Sequence, residues 1–188
     1  MEKTGITIDT VTLNQIAEDT LAQMNEVSMR IMSYVDEPFN LNSPKQLAVV
    51  LFDKLNLPAN KKRSTSVEVL EKLQGKHPII DDLMIYRKVA KQYSTYAEGL
   101  KKYIQADGRI HTEFNQCVTQ TGRLSSTNPN LQNISVRDEQ SRQIRKAFVP
   151  SENHVLMACD YSQVELRVLA HIADEKGLID AFVAGMDI

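Results

Sequence analysis

Asp160 stands where a short apolar run, Val155-Leu156-Met157-Ala158, gives way to Ser162-Gln163-Val164-Glu165, a spacing that opens helices. A compact apolar run between polar residues reads as a buried strand. The sequence therefore predicts a strand from His154 to Cys159, an acid at its end, and then a helix. An aspartate held there is fixed, partly desolvated and well placed to gain from a bound cation. The same spacing suits an aspartate bonded to the backbone at a strand–helix junction, and spacing alone leaves both readings open. Glu165, three residues after Ser162, completes a capping box.

Two other stretches carry groups suited to binding phosphates or bases. The polar loop from Thr119 to Asn133 holds Arg123, Asn130, Gln132 and Asn133, with Arg137 just beyond it. Amides in such loops are ordinarily turn formers, and a loop arginine is ordinarily solvated. Lys61-Lys62-Arg63 is a basic run between helices. Fixed cations there would grip phosphates without reading sequence, although so short a run also suits a solvated loop. Tyr86, Tyr93 and Tyr96 fall at helical spacing and read as packing residues rather than base-stacking platforms.

Elements that would position these groups follow from periodicity. Leu13, Ile16, Ala17, Leu21, Met24, Val27 and Ile31 mark one face of a long helix from Thr10 that ends before Pro38. Ser43-Pro44-Lys45-Gln46 opens a second helix through Leu47, Val50, Leu51 and Leu55, with Ser43 as cap and Gln46 closing a capping box. Thr65 and Glu68 repeat that spacing ahead of a short helix ending near Gly75. Pro78 starts a long helix with Ile79, Leu83, Tyr86, Ala90, Tyr93, Ala97, Leu100 and Ile104 on one face. After the turn signal Asp107-Gly108 the period changes to two. Ile110, Thr112, Phe114, Gln116 and Val118 share one side of a half-buried strand. A short helix is expected from about Asp138 to Lys146, and another follows Ser162 through Leu166, Leu169, Ala170 and Ile172. The fold class is α+β, with a helical piece at 1–106 and an α+β piece at 107–188.

Composition sets outer bounds. The 188 residues are 42% hydrophobic and 24% charged, with a net charge of -2, ordinary values for a globular protein. Neither side of Ala106 carries a large net charge, so any nucleic-acid contact must come from local clusters. No apolar run approaches the roughly 20 residues of a membrane span, and the first residues lack a secretory apolar region. Cys117 and Cys159, the only cysteines, make neither a disulfide framework nor a zinc site. A cytoplasmic location with no membrane partner is the expectation.

Four strings narrow the reading. Asp160-Tyr161-Ser162-Gln163-Val164-Glu165-Leu166-Arg167 closely resembles motif A of the family A DNA polymerases. Thr121-Gly122-Arg123-Leu124-Ser125-Ser126-Thr127 and the following Asn128-Pro129-Asn130-Leu131-Gln132-Asn133-Ile134 resemble that family's segment just ahead of motif A. Phe39-Asn40-Leu41-Asn42-Ser43-Pro44-Lys45-Gln46-Leu47 resembles its thumb entry. Ser94-Thr95-Tyr96 with Glu98-Gly99-Leu100 resembles the end of its thumb helix. The strings follow the family's order across nearly the whole chain.

The resemblance implies a helical thumb subdomain at 1–106 and an incomplete palm with a small antiparallel sheet at 107–188. It implies template-directed DNA synthesis in replication and repair, with primer-template DNA and deoxynucleoside triphosphates as partners. Asp160 would ligate two Mg2+ ions, and the Tyr161 carbonyl one of them; such a pair activates the primer hydroxyl and neutralises the triphosphate. Glu165 would be the steric gate against ribonucleotides, with Gln163 lining the same nucleotide site. Arg123 would enter the minor groove at the primer terminus, where acceptors occur on every correct pair. Asn130, Gln132, Asn133 and Arg137 would touch template and primer, and Lys61, Lys62 and Arg63 would contact phosphates.

Departures from the family qualify these expectations. The family has several more residues, including Gly-Tyr, between the basic run and Ser64-Thr65-Ser66. Ser135 stands where the family has proline after Asn-Ile. Beyond Ile188 the family continues with the fingers, which hold the triphosphate, and a second catalytic carboxylate. The 188-residue chain alone is accordingly expected not to polymerise, and to self-associate through an uncovered palm surface. Other readings are a non-catalytic DNA-binding thumb module, a single-subunit RNA polymerase, disfavoured by Gln163 and Glu165, and a helical interaction domain with an unrelated tail.

Overall fold

The computed structural model describes residues 1–134 and 139–186, without the side chains of 139–141. The fold is α+β, helices with small antiparallel sheets, as the sequence predicts. The chain divides into two compact units, Met1–Asn153 and His154–Ile188.

In the first unit, α1 (Thr10–Met32) begins at Asp9, whose carboxylate accepts from the Val11 N–H at 3.0 Å. Leu13, Ala17, Val27 and Ile31 are its buried face. It packs along α4 (Pro78–Gln92). Ser43 caps α2 (Pro44–Val49), accepting from the Gln46 N–H at 3.4 Å, with Pro44 in the first turn. The Gln46 side chain does not close the expected box on Ser43. It accepts from the Asn40 N–H at 2.6 Å, while the Ser43 N–H donates to the Asn40 carbonyl at 2.9 Å. α2 runs into a π-helical turn at Val50–Lys54. Ser66, not Thr65, precedes α3 (Val67–Glu71). Thr65 is buried instead, and its carbonyl accepts from the Arg87 guanidinium.

The long helix expected from Pro78 is not continuous. α4 gives way to a π-helical turn at Tyr93–Ala97 and a 3-10 turn at Leu100–Tyr103. A Cβ at Gly99 would overlap the Thr95 carbonyl, so glycine permits this close approach. Even so, Leu83, Tyr86, Ala97 and Leu100 are buried as the spacing predicts. Tyr86 and Tyr96 are core residues, and Tyr93 packs against the second core cluster.

One core cluster joins α1, α2, α3 and α4 through Ile31, Leu47, Leu51, Leu70, Ile79, Ile80 and Leu83, each fully buried. Each such side chain contributes about 1.5–3 kcal/mol of transfer free energy. The other cluster joins the first half of α1 to Tyr96, Leu100, Ile110 and Ile144. It lies beside a three-stranded antiparallel sheet in the order β2-β1-β5: β1 (Ile6–Ile8), β2 (Arg109–Ile110) and β5 (Phe148–Val149). Strands from both sides of Ala106 therefore pair within one unit. The alternation after Arg109 forms two short strands rather than one long one. β3 (Glu113–Asn115) pairs with β4 (Ser125–Thr127), and Gln116 and Val118 are exposed. α5 (Glu139–Arg145) is the short helix expected from about Asp138. Ser135 lies outside the described residues.

The second unit contains α6 (Val164–Ile172) packed on α7 (Lys176–Val183). The buried strand expected at His154–Cys159 is not formed. The segment has no ladder partner among the described residues, and Val155 and Met157 are 87% and 84% exposed. An apolar run becomes a strand only where another strand satisfies its backbone.

Candidate active site and nucleic-acid interface

Asp160 follows this segment and is exposed, not partly desolvated as expected. Desolvation at a strand end needs a paired strand, and the segment before Asp160 has no ladder partner among the described residues. Tyr161 is also exposed. Gln163 adopts a left-handed conformation, φ 51°, immediately before α6, and makes no side-chain cap bond. Ser162 thus sits one residue too early to cap, and the Ser162–Glu165 box is not formed. The Ser162 carbonyl instead accepts from Arg167 Nε at 2.9 Å. The Arg167 guanidinium lies 4.4 Å from the centre of the Phe182 ring, fastening α6 to α7 by a cation–π contact. Glu165 is exposed in the first turn of α6. Asp160, Tyr161, Gln163 and Glu165 are therefore presented by one unit.

The loop residues belong to the other unit, where a buried hydroxyl pair holds them. Thr112 Oγ1 lies within hydrogen-bond distance of the carbonyls of Thr127 (2.9 Å) and Pro129 (2.7 Å), to which its single O–H can donate, and 2.7 Å from Ser126 Oγ. Ser126 Oγ accepts from the Leu131 N–H at 3.1 Å. This ties β4 and the residues after it into a fixed hairpin, leaving Arg123, Asn130, Gln132 and Asn133 exposed. The Thr119 hydroxyl donates to the Arg123 carbonyl at 2.5 Å, and Asn130 Oδ1 accepts from the Gln132 N–H at 3.0 Å. Asn130 thus also serves as a turn former. Arg137 lies outside the described residues.

A groove of about 850 Å³ runs between this hairpin and the end of the α4 helix, lined by Asn128, Asn130, Asn133, Ser94, Lys91 and Lys102 among others. The Tyr96 hydroxyl donates to the Asn133 carbonyl across one end of it. Lys91 and Lys102 were missed by sequence reasoning. Their signal was position: Lys91 stands three residues before Ser94 on an exposed helical face, where a lysine usually reads as solvated.

The basic run is divided in its engagements. Arg63 donates to Asp53 at 2.6 Å, and its guanidinium lies 5.8 Å from the Phe52 ring centre. The hydrogen bond from Arg63 holds the Asp53 carboxyl below its ordinary pKa. Lys61 and Lys62 are exposed. Lys62 and Arg63 line a groove of about 800 Å³ together with Lys45 and Arg87, two cations remote in sequence that the basic run alone did not reveal. Burial lowers the pKa of the Arg87 guanidinium.

Oxygen donors such as the Asp160 carboxylate and the Tyr161 carbonyl suit Mg2+ chemically. Among the described residues, however, no three His, Cys, Asp or Glu side chains cluster to hold a metal ion. One exposed carboxylate cannot organise two cations, so these residues alone do not fit the two-ion group.

Comparisons with known proteins agree with the motif reading. The profile of DNA polymerase family A matches residues 10–188. DNA polymerase I of Bacillus subtilis is 53% identical over 194 aligned residues, covering 100% of this chain and 22% of the relative. DNA polymerase I of Geobacillus stearothermophilus gives the same 53% identity and the same coverage. The chain thus spans about a fifth of the length of these relatives. Among solved structures, the POL domain of Pol1 from M. smegmatis, in complex with DNA primer-template and dNTP, has a TM-score of 0.89 and 41% identity. That match covers 99% of this chain and 34% of the other. The chain belongs to the family A DNA polymerases.

Proposed function

We propose that this chain is part of a protein that extends a DNA primer along a template, using deoxynucleoside triphosphates as substrates. The observation that carries this reading is the motif from Asp160 to Arg167, set in a chain half identical to bacterial DNA polymerase I over its whole length. Residues 1–106 act as the thumb and 107–188 as part of the palm. Lys61 and Lys62 contact phosphates, with Arg63 held back by Asp53. Arg123, Asn130, Gln132, Asn133 and Arg137 line the path of the primer terminus and template. Glu165 excludes the ribose 2′-hydroxyl, with Gln163 beside it. Asp160 and the Tyr161 carbonyl are this chain's share of a two-Mg2+ site, which in a protein of the relatives' length is completed by other residues. Bound there, the ions would supply charge neutralisation for nucleotidyl transfer. The 188 residues alone bind DNA but do not polymerise.

The test is templated primer extension with purified protein, comparing a protein of the relatives' length with the 188-residue chain. Extension by the longer protein and none by the chain is expected. Extension by the chain above a mock preparation contradicts the division of the site.

A further inference from the structure

His111 follows β2 and lies against residues 2–5, the segment that leads into β1. Its Nδ1 is 2.8 Å from the Glu2 carbonyl oxygen, and its Nε2 is 2.9 Å from Asp107 Oδ2. A carbonyl and an ionised carboxylate only accept hydrogen bonds. Both contacts are therefore made together only by an imidazole protonated on both nitrogens. The ring is largely enclosed, its side chain 17% exposed. It packs so closely on Gly5, φ 63°, that a Cβ there would stand 2.8 Å from the ring carbon Cε1. The same segment is gripped twice more. Arg109 donates to the Thr4 carbonyl at 2.8 Å, and the Glu2 carboxylate accepts from the Phe114 N–H at 2.6 Å.

We propose that His111, Asp107 and the Glu2 carbonyl form a protonation-dependent clasp that pins residues 2–5 and so fixes the entry into the central strand β1. The charged groups around the ring are Asp107 in the turn before β2, Arg109 on β2, and Glu2 itself. Asp107 favours the imidazolium and Arg109 opposes it. Arg109 is also bonded to Ser151 Oγ at 2.7 Å, and the Glu2 carboxylate is engaged by Phe114. Consistent with this balance, the bond to the Glu2 carbonyl and then that to Asp107 raise the His111 pKa above its ordinary value. The bond from His111 holds Asp107 below its own. The folded state binds the histidine proton more tightly than the unfolded chain does. The clasp's contribution is therefore complete below the ordinary imidazole pKa and is lost as pH rises through the raised one. It also fails in acid, where Asp107 protonates. On deprotonation the neutral ring keeps a single N–H and must release one acceptor.

Hydrogen exchange of peptides spanning residues 2–8, corrected for the intrinsic chemical rate, tests this from about pH 5.5 to about pH 8.5. Wild-type protection of the segment should fall several-fold as pH rises. Protection in His111→Gln, which keeps an amide donor but does not titrate, should be independent of pH. Asp107→Asn should move the wild-type fall to lower pH, and this arm stands even if His111→Gln does not fold. Flat wild-type protection, a His111→Gln profile parallel to wild type, or an Asp107→Asn profile with an unmoved midpoint each overturns the clasp.

Discussion

Glu165 offers one carboxylate for which the sequence allowed two uses. With Gln163 left-handed and α6 starting at Val164, Ser162 is not the cap, so the capping-box use falls away. In a protein of the relatives' length, Glu165→Ala should narrow the ratio of kcat/KM for deoxyribonucleotides over ribonucleotides by about 10–100-fold, the scale of one steric contact. An unchanged ratio would contradict the gate. At the basic run the structure separates residues that the sequence left equivalent. Lys61→Ala and Lys62→Ala should each lower the slope of log affinity for primer-template against log salt by about 1. Arg63→Ala should change it less, because Asp53 already neutralises that guanidinium. Equal slopes for all three variants would show that the Asp53 pair opens on DNA.

Helices were more legible than strands. Leu83 was placed on a buried helical face by spacing alone and is fully buried. Leu83→Ala should destabilise the first unit by about 2–5 kcal/mol through cavity formation, measured by denaturant unfolding. Ser43→Ala should cost only about 0.5–1 kcal/mol, since its cap bond is long. A larger loss for Ser43 than for Leu83 would be inconsistent with this packing. A helix satisfies its backbone within its own segment, so periodicity reports it directly. A strand depends on a partner elsewhere in the chain. Val155-Leu156-Met157-Ala158 has the composition of a strand but no partner among the described residues. Ile6-Thr7-Ile8 is too short to stand out and yet is the central strand of a sheet. Capping boxes failed for a related reason. Ser, Thr, Gln and Glu at the right spacing compete with neighbours, and here Asn40, Ser66 and Gln163 altered the local geometry. The loop residues were legible as motif strings, whereas Lys91, Lys102, Lys45 and Arg87 come to their grooves only through tertiary packing.

At the scale of the whole molecule, the Asp160–Arg167 motif follows a segment with no ladder partner among the described residues. Val155, Leu156 and Met157 expose adjacent apolar side chains next to Asp160, and surfaces of this kind drive association. The 188-residue chain should show concentration-dependent association in sedimentation velocity, and Leu156→Ser with Met157→Ser should reduce it. A chain that stays monomeric at all concentrations would show that the segment is covered in solution. In a protein of the relatives' length, primer extension should depend on Asp160. The direct measurement is single-turnover primer extension by Asp160→Asn beside wild type, with DNA affinity measured in parallel. Loss of an ion ligand worth several kcal/mol predicts a rate lower by roughly 10³-fold or more with DNA affinity nearly unchanged. An Asp160→Asn protein that extends primers at close to the wild-type rate would contradict the assignment of this motif as the catalytic site.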